Sequence, residues 1–155
     1  MTLTNVISSS IMYSLLSFVL QMALKVCSCF GTKIHIDTIM DLSSSQEYSG
    51  LLSAMDDSVQ EGLFHKSGDF YHFEHDNVRE TAYASIEIDK RDRFHFEIGM
   101  ALYMKWKSRN CDEDNISFII IDLINYGLPS LPCSPSEKID IARLNLKAGL
   151  TSMKG

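Results

Sequence analysis

The residues with the clearest chemical potential are histidines, three of which lie in one stretch, Gly62–Ile86. His65 and His72 belong to two short apolar-aromatic runs, and His75 follows the second run beside Asp76. A helix is predicted to begin at Val78, with Asp76 or Asn77 as its cap, so the imidazole of His75 would lie at the mouth of a helix N-terminus, where backbone N–H groups attract anions. Asp76 would hold the imidazole in place. From the residues alone, a capping or packing role for His75 is favoured over ligand binding.

Other chemistry has less support in the sequence. The three histidines could approach one another around a metal ion, and Cys27 and Cys29 could join a histidine or another cysteine at a zinc site. Cys-x-Cys is an unusual zinc spacing, and the four cysteines are more simply interpreted as thiols in a reducing compartment. The chain contains no P-loop, GxSxG, HExxH or GxGxxG pattern. We therefore expect no catalysis, no metal and no cofactor of its own.

The charge balance narrows the possible partners. The 155 residues carry a formal net charge of −6, and the pI is about 5.3. An acidic chain does not favour nucleic acid or an anionic membrane as a partner. The apolar stretch Ile11–Phe30 resembles a membrane span, but its polar residues recur on one helical stripe that includes Lys25, which would be costly in lipid. We expect an amphipathic helix of a cytoplasmic protein, with no membrane partner.

Helical spacing dominates the part of the chain before His75. Apolar residues at helical intervals predict helices over Ile11–Phe30 and Gln46–Glu61, and a shorter helix after Asp37. The few residues from Ile34 could instead form a strand. Gln46–Glu61 would be the helix that enters the major groove if the domain bound DNA, but it has four acidic residues and no Lys or Arg. DNA binding is therefore disfavoured.

A hairpin is predicted immediately before His75. Ser67, Gly68 and Asp69 have the chemistry of a tight turn, which predicts a two-stranded hairpin at about Leu63–Phe73 and no larger sheet. Helix, short helix, helix and hairpin follow one another as in a winged helix-turn-helix domain, which we assign to residues 11–88. Its core is expected to contain eight side chains: Leu20, Leu24, Leu52, Met55, Leu63, Phe73, Val78 and Tyr83.

Residues 89–155 are predicted to begin an α-helical region of TPR-like hairpins. Helices are expected over Phe94–Trp106, Ile116–Tyr126 and Ser136–Met153, with an acidic loop and a proline-containing connection between them. The last helix has an apolar face that no later element covers, which predicts a missing partner helix or a protein partner. The fold class is therefore mainly α.

Several sequence blocks resemble a region of STAND-class, AAA-related ATPase modules. Such modules occur in large signalling proteins, between a Ser/Thr kinase domain and a sensor histidine kinase or beside other effectors. The blocks occur in the same order and span approximately residues 15 to 153. They are CSCFG at Cys27–Gly31, SVQEGLF at Ser58–Phe64, YHFEHDNVRETAYASI at Tyr71–Ile86, FHFEIGMAL at Phe94–Leu102, IDLINYG at Ile121–Gly127 and IARLNLKAG at Ile141–Gly149.

The resemblance implies a fragment of a larger protein, because the P-loop and Walker B segments of such modules lie N-terminal to this region. It implies that His75 contacts the β-phosphate of bound ADP and that Asp76 orients the loop. ADP or ATP would then bind only with a nucleotide-binding ATPase domain, in cis or in trans, and the C-terminal helices would contact protein partners. The chain departs from the family pattern at Glu74, where an apolar residue is usual, and at Asn77, where arginine is common. The alternatives are a stand-alone helical interaction module or a truncated gene product.

Overall fold

The computed structural model describes residues 11–109 and 118–153, and the chain is mainly α-helical. It divides into two compact units, with the boundary between Ile88 and Asp89. Within the described ranges, no helix combines the length and the apolar character needed to cross a membrane. The predicted mainly α fold is confirmed.

The first unit alternates helices with three short strands. A helical segment over residues 11–15 precedes α1, and a 3₁₀ turn lies between α2 and α3. This order of helix, strand, two helices and two strands is that of a winged helix. The elements are α1 (Phe18–Ser28), β1 (Lys33–His35), α2 (Ile36–Ser43), the 3₁₀ turn (Gln46–Tyr48), α3 (Leu51–Gln60), β2 (Phe64–Ser67), β3 (Phe70–Phe73) and α4 (Asp76–Ala84).

The sheet has three antiparallel strands in the order β1-β3-β2, so the prediction of a hairpin without a larger sheet was wrong. The missing strand is β1, whose Ile34 lies opposite Tyr71 and is buried. Backbone bonds from Ile36 N to Asp69 O and from Phe73 N to Thr32 O extend this pairing. The sequence allowed a strand from Ile34, but a three-residue strand has too short an alternation to fix its assignment, and its partner β3 is distant in sequence.

Two predicted helices are interrupted. Ile11–Phe30 breaks at Ser17, whose side chain accepts a hydrogen bond from Leu20 N and caps α1. Gln46–Glu61 is a 3₁₀ turn and α3, separated at Gly50. Serine favours an N-cap and glycine weakens a helix interior, and both effects outweighed the continuous apolar spacing.

The core of the first unit lies where α1, α3 and the sheet meet, and α1 also packs on α4. Phe64 and Phe73 stack with ring centroids 4.2 Å apart, which joins β2 to β3 on the buried face. Leu52 was wrongly expected in the core, because it is 37% exposed on the outer side of α3, and Leu20 and Tyr83 are only half-buried. Five expected core residues are buried: Leu24, Met55, Leu63, Phe73 and Val78.

Among its described residues, the second unit contains three α-helices, α5 (Arg91–Ser108), α6 (Phe118–Gly127) and α7 (Pro135–Ser152), and a 3₁₀ turn (Leu128–Ser130) after α6. The predicted starting residues of α6 and the acidic loop before it lie outside the described residues. Gly99 lies against Leu123 and Ile124, and Gly127 lies against the main chain of Asp92, so α5 and α6 are antiparallel. A capping box formed by Ser134 and Glu137 begins α7.

Candidate functional site

His75 occupies the junction between β3 and α4. Its backbone is extended (φ −137°, ψ 133°) at the N-cap of α4, and its carbonyl accepts a hydrogen bond from Val78 N. Its side chain makes no capping hydrogen bond and is exposed. The backbone therefore caps the helix, while the imidazole is left accessible at the helix end where partial positive charge accumulates.

Asp76 is the first residue of α4 and is also exposed. A carboxylate in the first turn of a helix is favourable, because it lies near the uncompensated N–H groups. No hydrogen bond or ion pair joins His75 to Asp76 among the interactions of the described residues, so the expectation that Asp76 holds the imidazole is not met in this structure. The side chains of His75 and Asp76 therefore lie at the same helix end without a direct contact that would orient the imidazole.

Glu74 is directed away from this junction. Its carboxylate Oε2 lies 2.8 Å from Nδ1 of His65 on β2, on the outer face of the sheet. His65 in turn stacks on His72, with ring centroids 5.2 Å apart and planes 9° from parallel. The carboxylate of Glu74 is therefore engaged by His65, a histidine of the sheet.

The metal alternatives receive no support from the described residues, among which no three His, Cys, Asp or Glu side chains form a metal-binding group. His65 and His72 stack face to face, which does not aim two ring nitrogens at one point. Burial raises the pKa of the Cys29 thiol to about 12 and raises the pKa of Cys27 further, so both stay protonated. Cys27 Sγ instead contacts Met55 Sδ at 3.4 Å inside the core.

The surface that would meet DNA in a winged helix is acidic. Asp56 and Asp57 are exposed on α3, which has no Lys or Arg. The nearby cation of the hairpin, Lys66, is directed to Asp56, with its Nζ 3.0 Å from Oδ1. Tyr71 also donates its hydroxyl to that oxygen at 3.3 Å. The arrangement binds the hairpin to α3 and offers no set of cations to a phosphate backbone.

A second candidate site lies in the second unit and was not found from the sequence. A groove of about 210 Å³ runs between the C-terminal part of α5 and the middle of α7, and we call it the α5–α7 groove. The basic residues in the last turn of α5, Lys105 and Lys107, suit a helix C-terminus, so their presence is explained without a ligand. Their spacing relative to α7 depends on how the helices pack, which the sequence pattern does not encode. The groove residues are Tyr103, Trp106, Lys107, Asp140, Arg143, Leu144 and Lys147.

Comparison of the chain with models of known protein families, with curated proteins and with solved structures gives no match.

Proposed function

We propose that this chain is a non-catalytic regulatory segment of a STAND/AAA-type signal-transduction ATPase. In this role the winged-helix unit would contact the nucleotide held by an ATPase domain and would couple its state to the helical region and to effector domains. The observation that carries the proposal is the exposed imidazole of His75, which lies at the N-terminus of α4 and is not used as a cap. The blocks of sequence similarity supply the expected ligand, the β-phosphate of ADP.

The local geometry fits one contact to an anion. Backbone N–H groups at the start of α4 favour negative charge, and a neighbouring imidazole can donate a hydrogen bond to a phosphate oxygen. The Glu74 carboxylate lies 2.8 Å from His65 Nδ1, so it is directed to β2. One imidazole cannot hold a nucleotide, however, and the rest of the phosphate site would come from a P-loop domain. Asp76 borders the same helix end and would repel an anion unless it turns to solvent.

The alternative is a stand-alone helical interaction module or a truncated gene product. One observation favours the interaction module: α7 and its C-cap residue present four large apolar side chains that are each at least half exposed. They recur at helical spacing on the side away from the buried residues of α7. They are Ile139, Leu146, Leu150 and Met153.

Two observations distinguish the two functions: the genomic sequence upstream of this segment, and the nucleotide that the purified longer protein contains. The genomic sequence upstream should encode, in the same frame, an ATPase module with a P-loop. The longer protein, purified without added nucleotide and then denatured, should release ADP detectable by chromatography. An upstream sequence with an in-frame stop codon and no P-loop would refute the proposal that this segment regulates an ATPase domain of the same polypeptide. Absence of ADP from a folded longer protein would refute the nucleotide-sensing role.

A further inference from the structure

The α5–α7 groove is a local concentration of positive charge on an acidic protein. Lys107, Arg143 and Lys147 line it, together with a single carboxylate, Asp140. Over the whole chain, 14 Lys and Arg stand against 20 Asp and Glu. In residues 1–88 the imbalance is larger, with four Lys and Arg against eleven Asp and Glu. Cations therefore outnumber carboxylates in the groove. Because Lys147 already has an interaction of its own, Lys107 and Arg143 are the cations that an anionic ligand would meet.

The one acidic residue of the groove does not neutralise it. Arg143 Nη1 lies 3.8 Å from Asp140 Oδ1, one turn away on α7, and the Arg143 side chain is 73% exposed. An exposed pair at this distance is weak, because solvent screens it and holding two long side chains costs entropy. The guanidinium can therefore turn to a ligand carboxylate, for which its planar fork is well shaped.

Aromatic side chains form the floor of the groove. Tyr103 is 8% exposed, and its ring lies 6.0 Å from the ring of Trp106, at an angle of 23°. Lys107 Nζ lies 5.9 Å from the centre of the Tyr103 ring. Leu144 completes the apolar part and is buried. Trp106 is half-buried, so part of its indole is available to a ligand side chain. An apolar or aromatic group would lie on this floor, with negative groups at the cations around it.

From this arrangement we propose that the α5–α7 groove binds an acidic peptide segment of a partner protein, in which carboxylates flank an aromatic or apolar residue. A groove of about 210 Å³ accommodates one or two side chains, not a folded surface. Free phosphate would leave the aromatic floor unused. A nucleic acid would need more phosphate contacts than the few cations that line the groove can supply. The proposal deepens the partner-binding part of the proposed function, and it does not depend on His75.

Trp106 is the only tryptophan in the chain, so its fluorescence reports on this groove. The probe is the blocked peptide acetyl-Glu-Asp-Phe-Glu-Asp-amide, titrated into the full chain at about 50 mM NaCl, where screening is moderate. Its control has Gln and Asn in place of Glu and Asp. The acidic peptide should change Trp106 emission saturably, and the neutral peptide should not. The change should weaken as salt is raised.

Variants locate the binding to the groove. Arg143→Gln and Lys107→Gln should each weaken the acidic peptide about threefold to tenfold, the range of one solvent-exposed charge contact or slightly more. Lys138→Gln is the matched control, because Lys138 is an exposed cation of α7 that does not line the groove. Its affinity should equal that of the parent. ADP is absent from every mixture, so failure here leaves the nucleotide proposal untouched.

Three results would overturn the inference. The first is no saturable change in Trp106 emission with up to about 1 mM acidic peptide, the weakest affinity worth assigning to a site. The second is equal weakening by Lys138→Gln and Arg143→Gln, which would indicate general charge attraction. The third is displacement of the peptide by inorganic phosphate or a single-stranded oligonucleotide at lower concentrations than the peptide itself requires, which would assign the groove to another ligand class.

Discussion

Gly127, at the end of α6, marks a close approach between α6 and α5. A Cβ at this position would lie 2.1 Å from the carbonyl oxygen of Asp92 and 2.7 Å from Cβ of Phe96. Ordinary contacts of this kind are about 3.5 Å, so Gly127→Ala requires the helices to separate by about 1 Å. Because the clash involves main-chain atoms, no side-chain rotation relieves it.

The expected cost follows from two opposing terms. Overpacking costs about 1–3 kcal/mol, and a clash with main chain belongs at the upper end of that range. Alanine regains up to about 1 kcal/mol over glycine in a helix. We therefore expect Gly127→Ala to lower the free energy of unfolding of the second unit by about 2 kcal/mol. Gly149→Ala is the matched control, since nothing lies within 4 Å of its Cβ position on α7, and it should stabilise by about 1 kcal/mol.

Urea unfolding followed by Trp106 fluorescence measures this difference, because the only tryptophan lies on α5 in the same unit. The Gly127→Ala transition should move to lower urea and the Gly149→Ala transition to higher urea, with unchanged slopes. A Gly127→Ala protein as stable as the parent would refute the close antiparallel packing of α5 and α6.

Three further predictions concern the core, a buried histidine and catalysis. Phe73→Ala should cost about 3–5 kcal/mol in chemical denaturation followed by circular dichroism, because Phe73 is buried against Phe64; a parent-like midpoint would mean that the hairpin register is wrong. Burial lowers the pKa of His95, so the unfolded chain binds a proton more readily there and the second unit should lose stability as pH falls below about 6.5. His95→Gln should reduce that slope, and an unchanged slope would assign it to other groups. The isolated chain should not hydrolyse ATP with Mg²⁺; phosphate release above a mock preparation would contradict this.

The sequence predicted the helical elements well where apolar spacing ran over several turns. The core positions of α1 and α3 that recur every three or four residues, such as Leu24 and Met55, are buried as expected. The failures lie where one residue overrides a long pattern. Ser17 caps a new helix inside an apolar run, and Gly50 separates a 3₁₀ turn from α3. Leu52 is exposed because α3 directs Leu51, Ala54 and Met55 to the core instead. Ile34 joins the sheet through partners that are distant in sequence.

The candidate site was predictable only in part. A helix that starts shortly after His75 follows from local composition, but its cap was expected at Asp76 or Asn77, whereas the structure has His75 at the N-cap and Asp76 as the first helical residue. The pairing of Glu74 with His65 was not predictable, because it depends on the register between β2 and β3. The α5–α7 groove depends on the packing of two helices whose residues lie about thirty to forty positions apart, beyond the reach of any local pattern.

The measurement that tests the regulatory proposal most directly is the ADP affinity of the longer protein that would carry this segment with its ATPase module, by isothermal titration calorimetry. His75→Ala should weaken ADP by about 1.5–3 kcal/mol, the value of a charge-assisted hydrogen bond, or roughly 10- to 150-fold. His72→Ala is the control, because His72 stacks on His65 on the outer face of the sheet and should leave the affinity unchanged. Glu74→Leu should tighten ADP only slightly, because the Glu74 carboxylate is directed to His65. Equal ADP affinity in the parent and in His75→Ala would contradict the proposal. The only role left for His75 would then be the capping of α4 by its backbone.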